Sequence, residues 1–177
     1  MTNYVYIATS LDGYIATSDG GLNWLLEVPN PEQSDYGFAE FIEGIDAIVM
    51  GRNTFETVVS FGVWPYERPV FVLSEHLKEI PGNLAGKAEL TSGEVLTLVQ
   101  ELRRRGYENL YVDGGLTIQS FLAVDMIDEL IITRLPVVLG AGIPLFGELA
   151  EMLQFEHVGT EVYNNALVKS HYVRANR

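Results

Sequence analysis

The sequence contains no cysteine. That excludes disulfides, thiolate nucleophiles and cysteine-ligated zinc or iron–sulfur centres, and it fits a reducing cytoplasm. Basic side chains are few, 11 lysines and arginines against 24 aspartates and glutamates, for a formal net charge of −13. A broad nucleic-acid or anionic-membrane surface needs basic side chains to displace counterions, so neither partner is expected. Residues 1–51 lack lysine and arginine altogether, yet carry Asp12, Asp19, Glu27, Glu32, Asp35, Glu40, Glu43 and Asp46. Two readings stay open for that segment: a solvated acidic face, or a region that repels phosphorylated ligands. No apolar run approaches the roughly 20 residues needed to cross a bilayer. The start of the chain has no basic and apolar leader pattern. His76, His157 and His171 are too scattered for a metal cluster, so no metal is expected. No G-x-S-x-G elbow, Walker loop or G-x-G-x-x-G fingerprint occurs.

What is present is one long alternation. A chain of 177 residues, 47% of them apolar, predicts a single domain with a real core. Short β-like runs alternate with amphipathic stretches, which predicts an α/β domain with a largely parallel sheet. Strands are expected at 4–8, 47–50, 69–73, 109–112 and 127–135. Phe38, Phe41, Ile42 and Ile45 fall on one helical face, with Asp35 in the first turn. Asn53 with Glu56, and Thr91 with Glu94, match capping boxes. Val95, Leu98, Val99 and Leu102 form another helical stripe, which Arg103–Arg105 and Gly106 close. Two β-like runs near 154–163 and 166–173, joined by Asn164-Asn165, predict a terminal hairpin.

Two strand–glycine–helix turns could carry chemistry. In Gly51-Arg52-Asn53-Thr54 a glycine admits close approach to the backbone. The helix start then offers N–H groups to a phosphate, Arg52 a planar fork and Thr54 a hydroxyl. Asp113-Gly114-Gly115 repeats the arrangement. Each alone reads more readily as an ordinary turn. Together they suggest an extended anion or dinucleotide across the strand ends.

These residues resemble a known family. Met50-Gly51-Arg52-Asn53-Thr54-Phe55-Glu56, Leu73-Ser74, and Gly114-Gly115 with Thr117, Ile118 and Phe121-Leu122 resemble dihydrofolate reductases. Ser10-Leu11-Asp12-Gly13, Asp128-Glu129-Leu130 and Pro136 through Phe146 resemble the reductase domain of bifunctional riboflavin deaminase-reductases and its stand-alone relatives. The likeness runs in order through nearly the whole chain.

The resemblance implies a single three-layer α/β domain over residues 1–177, around a central mixed, mostly parallel sheet of about eight strands. It implies NADPH as hydride donor to a small-molecule substrate. Ala8 and Ile15 would border the nicotinamide, and Gly51, Arg52 and Thr54 would hold phosphates. Leu73 and Ser74 would border the adenosine. Gly114, Gly115, Leu116, Thr117 and Ile118 would meet the pyrophosphate and ribose. Asp35 and Thr133 correspond to the catalytic carboxylate and strand threonine of dihydrofolate reductases, with Asp35 alternatively a plain helix carboxylate. Trp24 corresponds to a loop tryptophan beside the substrate, and Asp113 to a carboxylate facing the substrate's sugar. Asp12 reads as a turn stabiliser. The riboflavin-branch substrate, 5-amino-6-(5-phosphoribosylamino)uracil, needs cations for its phosphate. Arg68 and Arg134 are the candidates, and an uncharged or cationic heterocycle or carbonyl compound is the other reading. A true dihydrofolate reductase and a non-catalytic nucleotide-binding protein are the rival functions. The terminal hairpin leaves an edge that a homodimer could cover.

Overall fold

The structure is a computed structural model that describes residues 2–175. In chain order, β1 (Thr2–Thr9) leads through a tight turn to β2 (Tyr14–Ala16) and a one-turn helix α1 (Asn23–Leu26). Then come α2 (Phe38–Glu43), β3 (Ala47–Gly51), α3 (Arg52–Ser60), β4 (Val70–Leu73) and β5 (Ala88–Thr91). The second half holds α4 (Val95–Arg104), β6 (Asn109–Asp113), α5 (Gly115–Ala123), β7 (Glu129–Arg134), β8 (Ile143–Pro144), β9 (Phe155–Tyr163) and β10 (Leu167–Arg174).

The central sheet has eight strands in the order β5-β4-β3-β6-β1-β7-β10-β9. It is mixed and mostly parallel: only the pairs made by β10, with β7 and with β9, are antiparallel. Strand alternation sends Val5, Val49, Phe71, Leu110 and Val112 to one face, where α4 and α5 bury Leu98, Val99, Leu102, Ile118 and Phe121. Ile48, Met50, Val70, Val72 and Tyr111 go to the other, under Phe55 of α3 and Phe38, Phe41 and Ile42 of α2. The result is the expected three-layer α/β domain. No helix of the described residues is long and apolar enough to cross a membrane.

Two local expectations are corrected. Asn53 and Glu56 form no capping box, because α3 starts directly from β3 with Gly51 as its cap and no side-chain cap bond. Glu56 pairs instead with Arg52 one turn back. Thr91 and Glu94 form none either: Thr91 ends β5, and Glu94 is itself the cap residue without a side-chain bond. The terminal hairpin forms as expected. Asn164 and Asn165 take φ of 53° and 52°, the left-handed pair that a two-residue turn between twisted strands requires.

Candidate active site

Parallel strands bring their carboxyl ends to one edge of the sheet, where ligands of open α/β sheets bind. Register fixes the row: Gly51 lies beside Leu73, Met50 beside Asp113, and Ala8 beside Thr133. Lys169 on β10 lies next to Thr133 on its other side.

The two glycine turns interlock at this edge. A Cβ on Gly51 would lie 2.7 Å from the Thr117 hydroxyl oxygen, and one on Gly114 would collide with the Thr54 side chain. Gly114 also has φ of 89°, which other residues adopt only with strain. A Cβ on Gly115 would meet Ile15 at 2.8 Å. Small residues thus let the starts of α3 and α5 stand side by side, with Ile15 against them. Neither start carries a side-chain cap. Their leading N–H groups and positive dipole ends are free for a polyanion. This cradle fits the phosphates of a dinucleotide.

Around the cradle the expected cofactor residues differ in what they can offer. Thr54 and Leu73 are half-buried, Leu116 is exposed and Thr117 is buried. Ile118 is fully buried in the core, and its N–H is spent on the Gly114 carbonyl at 2.9 Å, so it supports the turn from behind. The Ser74 oxygen accepts the N–H groups of His76 and Leu77 at 3.1 and 3.0 Å, and its hydroxyl hydrogen remains to donate. The Arg52 guanidinium lies 3.3 Å from Glu56.

Asp113 ends β6 inside this row. Its Oδ1 accepts the Gly114 N–H at 2.8 Å. Burial raises its pKa to about 6, against the opposing pull of hydrogen bonds from Gly114 and Tyr111. Asp35 is in a different state. It is exposed, and its two oxygens accept the N–H groups of Gly37 and Ala39 at 3.0 and 2.8 Å. Those bonds hold its pKa below the usual carboxylate value, with Ala39 the largest cause. It lies just ahead of α2 and caps that helix's opening donors.

Ala8 and Thr133, expected at the nicotinamide and the substrate, lie side by side on β1 and β7, and Thr133 is buried. Trp24 is buried in a cluster with Leu135 and Leu167, against which Ala8, Tyr36 and Tyr163 pack, and its Nε1 has no hydrogen-bond partner among the described residues. A buried donor left open costs free energy unless an acceptor arrives, which fits a ligand at this position. Asp12 plays the turn role: it accepts from the Ser10 hydroxyl at 2.7 Å and from Leu139 and Gly140 N–H at 3.1 and 2.7 Å. No group of histidines and carboxylates among the described residues could hold a metal.

The sequence reading missed Lys169. Its ammonium is largely buried, pairs with Glu161 at 2.9 Å and donates to the Tyr36 carbonyl at 3.0 Å. The Tyr6 hydroxyl donates to the same carbonyl at 2.7 Å. Burial opposes the charge on Lys169, but bonds with Tyr163 and Glu161 outweigh it and raise its pKa. Burial likewise pushes Tyr6 up to about 12, with Lys169 pulling the other way. The candidates Arg68 and Arg134 do not join the site. Arg68 precedes β4 and donates to the Glu43 carbonyl at 2.9 Å. Arg134 is exposed and alternates to the face opposite Thr133.

Comparison with known proteins agrees with this geometry. The model of the RibD C-terminal domain family matches residues 4–169. The chain is 36% identical to the uncharacterized protein YwjB of Bacillus subtilis, covering 97% of each. A solved structure from Shewanella sp. PV-4, tied by its name to riboflavin biosynthesis, is 48% identical with a TM-score of 0.96, covering 99% of this chain and 100% of that one. The dihydrofolate reductase of Enterococcus faecalis, solved with NADP(H), shares the fold at 18% identity and a TM-score of 0.68, covering 99% and 97%.

Proposed function

The chain belongs to the RibD C-terminal domain family, and on that premise we propose that it is an NADPH-dependent reductase of a small heterocyclic or carbonyl compound. The interlocked pair of uncapped helix starts, brought side by side by Gly51 and Gly114, carries this reading. A bound NADPH would supply the hydride; the protein's work is to orient it and exclude water.

The chain's own residues divide that work. The α3 and α5 starts hold the phosphates, with Arg52 and Thr54 beside them. Ala8 and Ile15 flank the nicotinamide, and Leu73 and Ser74 border the adenosine. Thr133 forms the floor beneath the substrate and Trp24 the wall that offers it a donor. Reduction also needs a proton at the atom next to the carbon that receives hydride. Of the two candidate carboxyls, Asp113 is raised by burial to about 6 and Asp35 is held below its ordinary value by backbone bonds, so Asp113 is the more readily protonated. Proton supply is therefore assigned to Asp113, which ends the step as a carboxylate. This use of a carboxyl whose pKa lies near the working pH is a general feature of acid catalysis.

The test has two stages. Isothermal titration with NADPH and NADH should give saturable binding that favours NADPH. NADPH oxidation over a panel of heterocycles and carbonyl compounds should then reveal turnover that Asp113→Asn abolishes without loss of NADPH affinity. NADPH binding with no turnover over the whole panel would favour a protein that kept the cradle and lost catalysis.

A further inference from the structure

The charge environment of the substrate side narrows the substrate class. Among the described residues, Lys169 is the cation that register places beside Thr133, and its ammonium already holds an ion-pair partner and a hydrogen-bond acceptor. Glu161 lies at 2.9 Å and the Tyr36 carbonyl at 3.0 Å. The Tyr163 ring lies 5.3 Å away, and a Cβ on Gly37 would come within 3.0 Å of Nζ. Asp35 adds a second carboxylate whose field reaches Lys169. One ammonium and two carboxylates leave the corner net negative. Tyr36 itself holds φ of 56°, and the donors on its carbonyl keep that turn in place. The lysine thus serves as an internal strut. The remaining free donor on this side is Trp24 Nε1, buried and without an acceptor among the described residues.

A phosphate monoester carries close to two negative charges at neutral pH. Here it would meet a cation already neutralised and an acidic surround. A neutral ring avoids that repulsion, and a carbonyl or ring nitrogen on it would answer the unpartnered Trp24 N–H. Resting on the reductase reading above, we propose that this site takes an uncharged ring compound bearing such an acceptor, and that Glu161 is the specificity-determining residue that excludes phosphorylated substrates.

The probe is ribose 5-phosphate, titrated into the full chain with NADP+ at saturation so that the helix starts are filled. Binding is read by NMR at the Tyr163 ring, which lies beside Lys169 and is present in every variant. Wild-type protein should bind weakly, with Kd above about 1 mM. Glu161→Gln, which keeps the size and a hydrogen-bond acceptor, should tighten binding by about 10-fold or more as the ammonium is freed. Lys169→Met in that background should remove the gain. Sub-millimolar binding by the wild type that Lys169→Met abolishes would overturn the proposal. So would a folded Glu161→Gln variant with unchanged affinity. Failure of NADP+ to bind the same sample would instead count against the reductase reading, and the NMR titration at Tyr163 would still decide the role of Glu161.

Discussion

Thr117 and Gly51 are fitted to one another across the two helix starts: a Cβ on Gly51 would lie 2.7 Å from the Thr117 hydroxyl oxygen. The two residues are distant in sequence and adjacent in space because β3 pairs directly with β6. The fit brings two positive helix ends together, and the proposed cofactor site depends on it.

Gly51→Ala should therefore destabilise the protein by about 1–3 kcal/mol, the usual cost of overpacking a well-filled site. Backbone strain does not enter, since Gly51 has φ of −81°. Thr117→Ala removes the clashing oxygen, so the double variant should lose less than the two single losses combined. Urea denaturation of all four proteins measures this coupling. Strict additivity would show that the contact is not felt.

Asp113 should make stability fall as pH rises. Its folded pKa of about 6 lies above the ordinary value of 3.8. The unfolded chain releases the proton first, so stability drops between about pH 4 and 6 and stays lower above it. The cost at neutrality is on the order of 1–3 kcal/mol. Asp113→Asn keeps an oxygen for the Gly114 N–H and should be more stable than wild type near pH 7.5, with no advantage near pH 4. Urea midpoints at the two pH values check this.

Arg52 and Glu56 form an exposed pair at 3.3 Å, of a kind that contributes only ~0–1 kcal/mol to folding. Glu56→Gln should leave the melting temperature almost unchanged and strengthen NADPH binding a few-fold, by releasing the guanidinium. Arg52→Ala should weaken NADPH binding by on the order of 1–3 kcal/mol, the worth of a charged hydrogen bond. Calorimetric titration of the two variants reads both effects.

Asp35→Ala should lower the melting temperature through loss of the bonds to Gly37 and Ala39, and leave NADPH affinity intact. Loss of NADPH binding in a folded variant would place Asp35 in the cofactor site.

Much of this was legible in the sequence. The apolar strands 47–51, 70–73 and 109–113 announce themselves because they are buried on both faces. The Asn164-Asn165 turn is set by local backbone preference. The short strands β2, β5 and β8 were not legible, since two to four residues carry too little periodicity and are defined by their partners. The capping patterns misled because α3 takes its first turn straight from a strand end. Lys169 was invisible for a related reason. Only the antiparallel register of β10 on β7 puts it beside Thr133, and its hydrogen-bond acceptor Tyr36 comes from the far end of the chain.

The most direct test of the central claim is titration of NADPH into the wild type and Gly114→Val. A valine there would fill the space of Thr54 at a backbone φ of 89°. Saturable wild-type binding in about the micromolar range, lost in a Gly114→Val protein that still melts cooperatively, is the predicted result. No saturable binding of NADPH or NADH by the folded wild type would contradict the account.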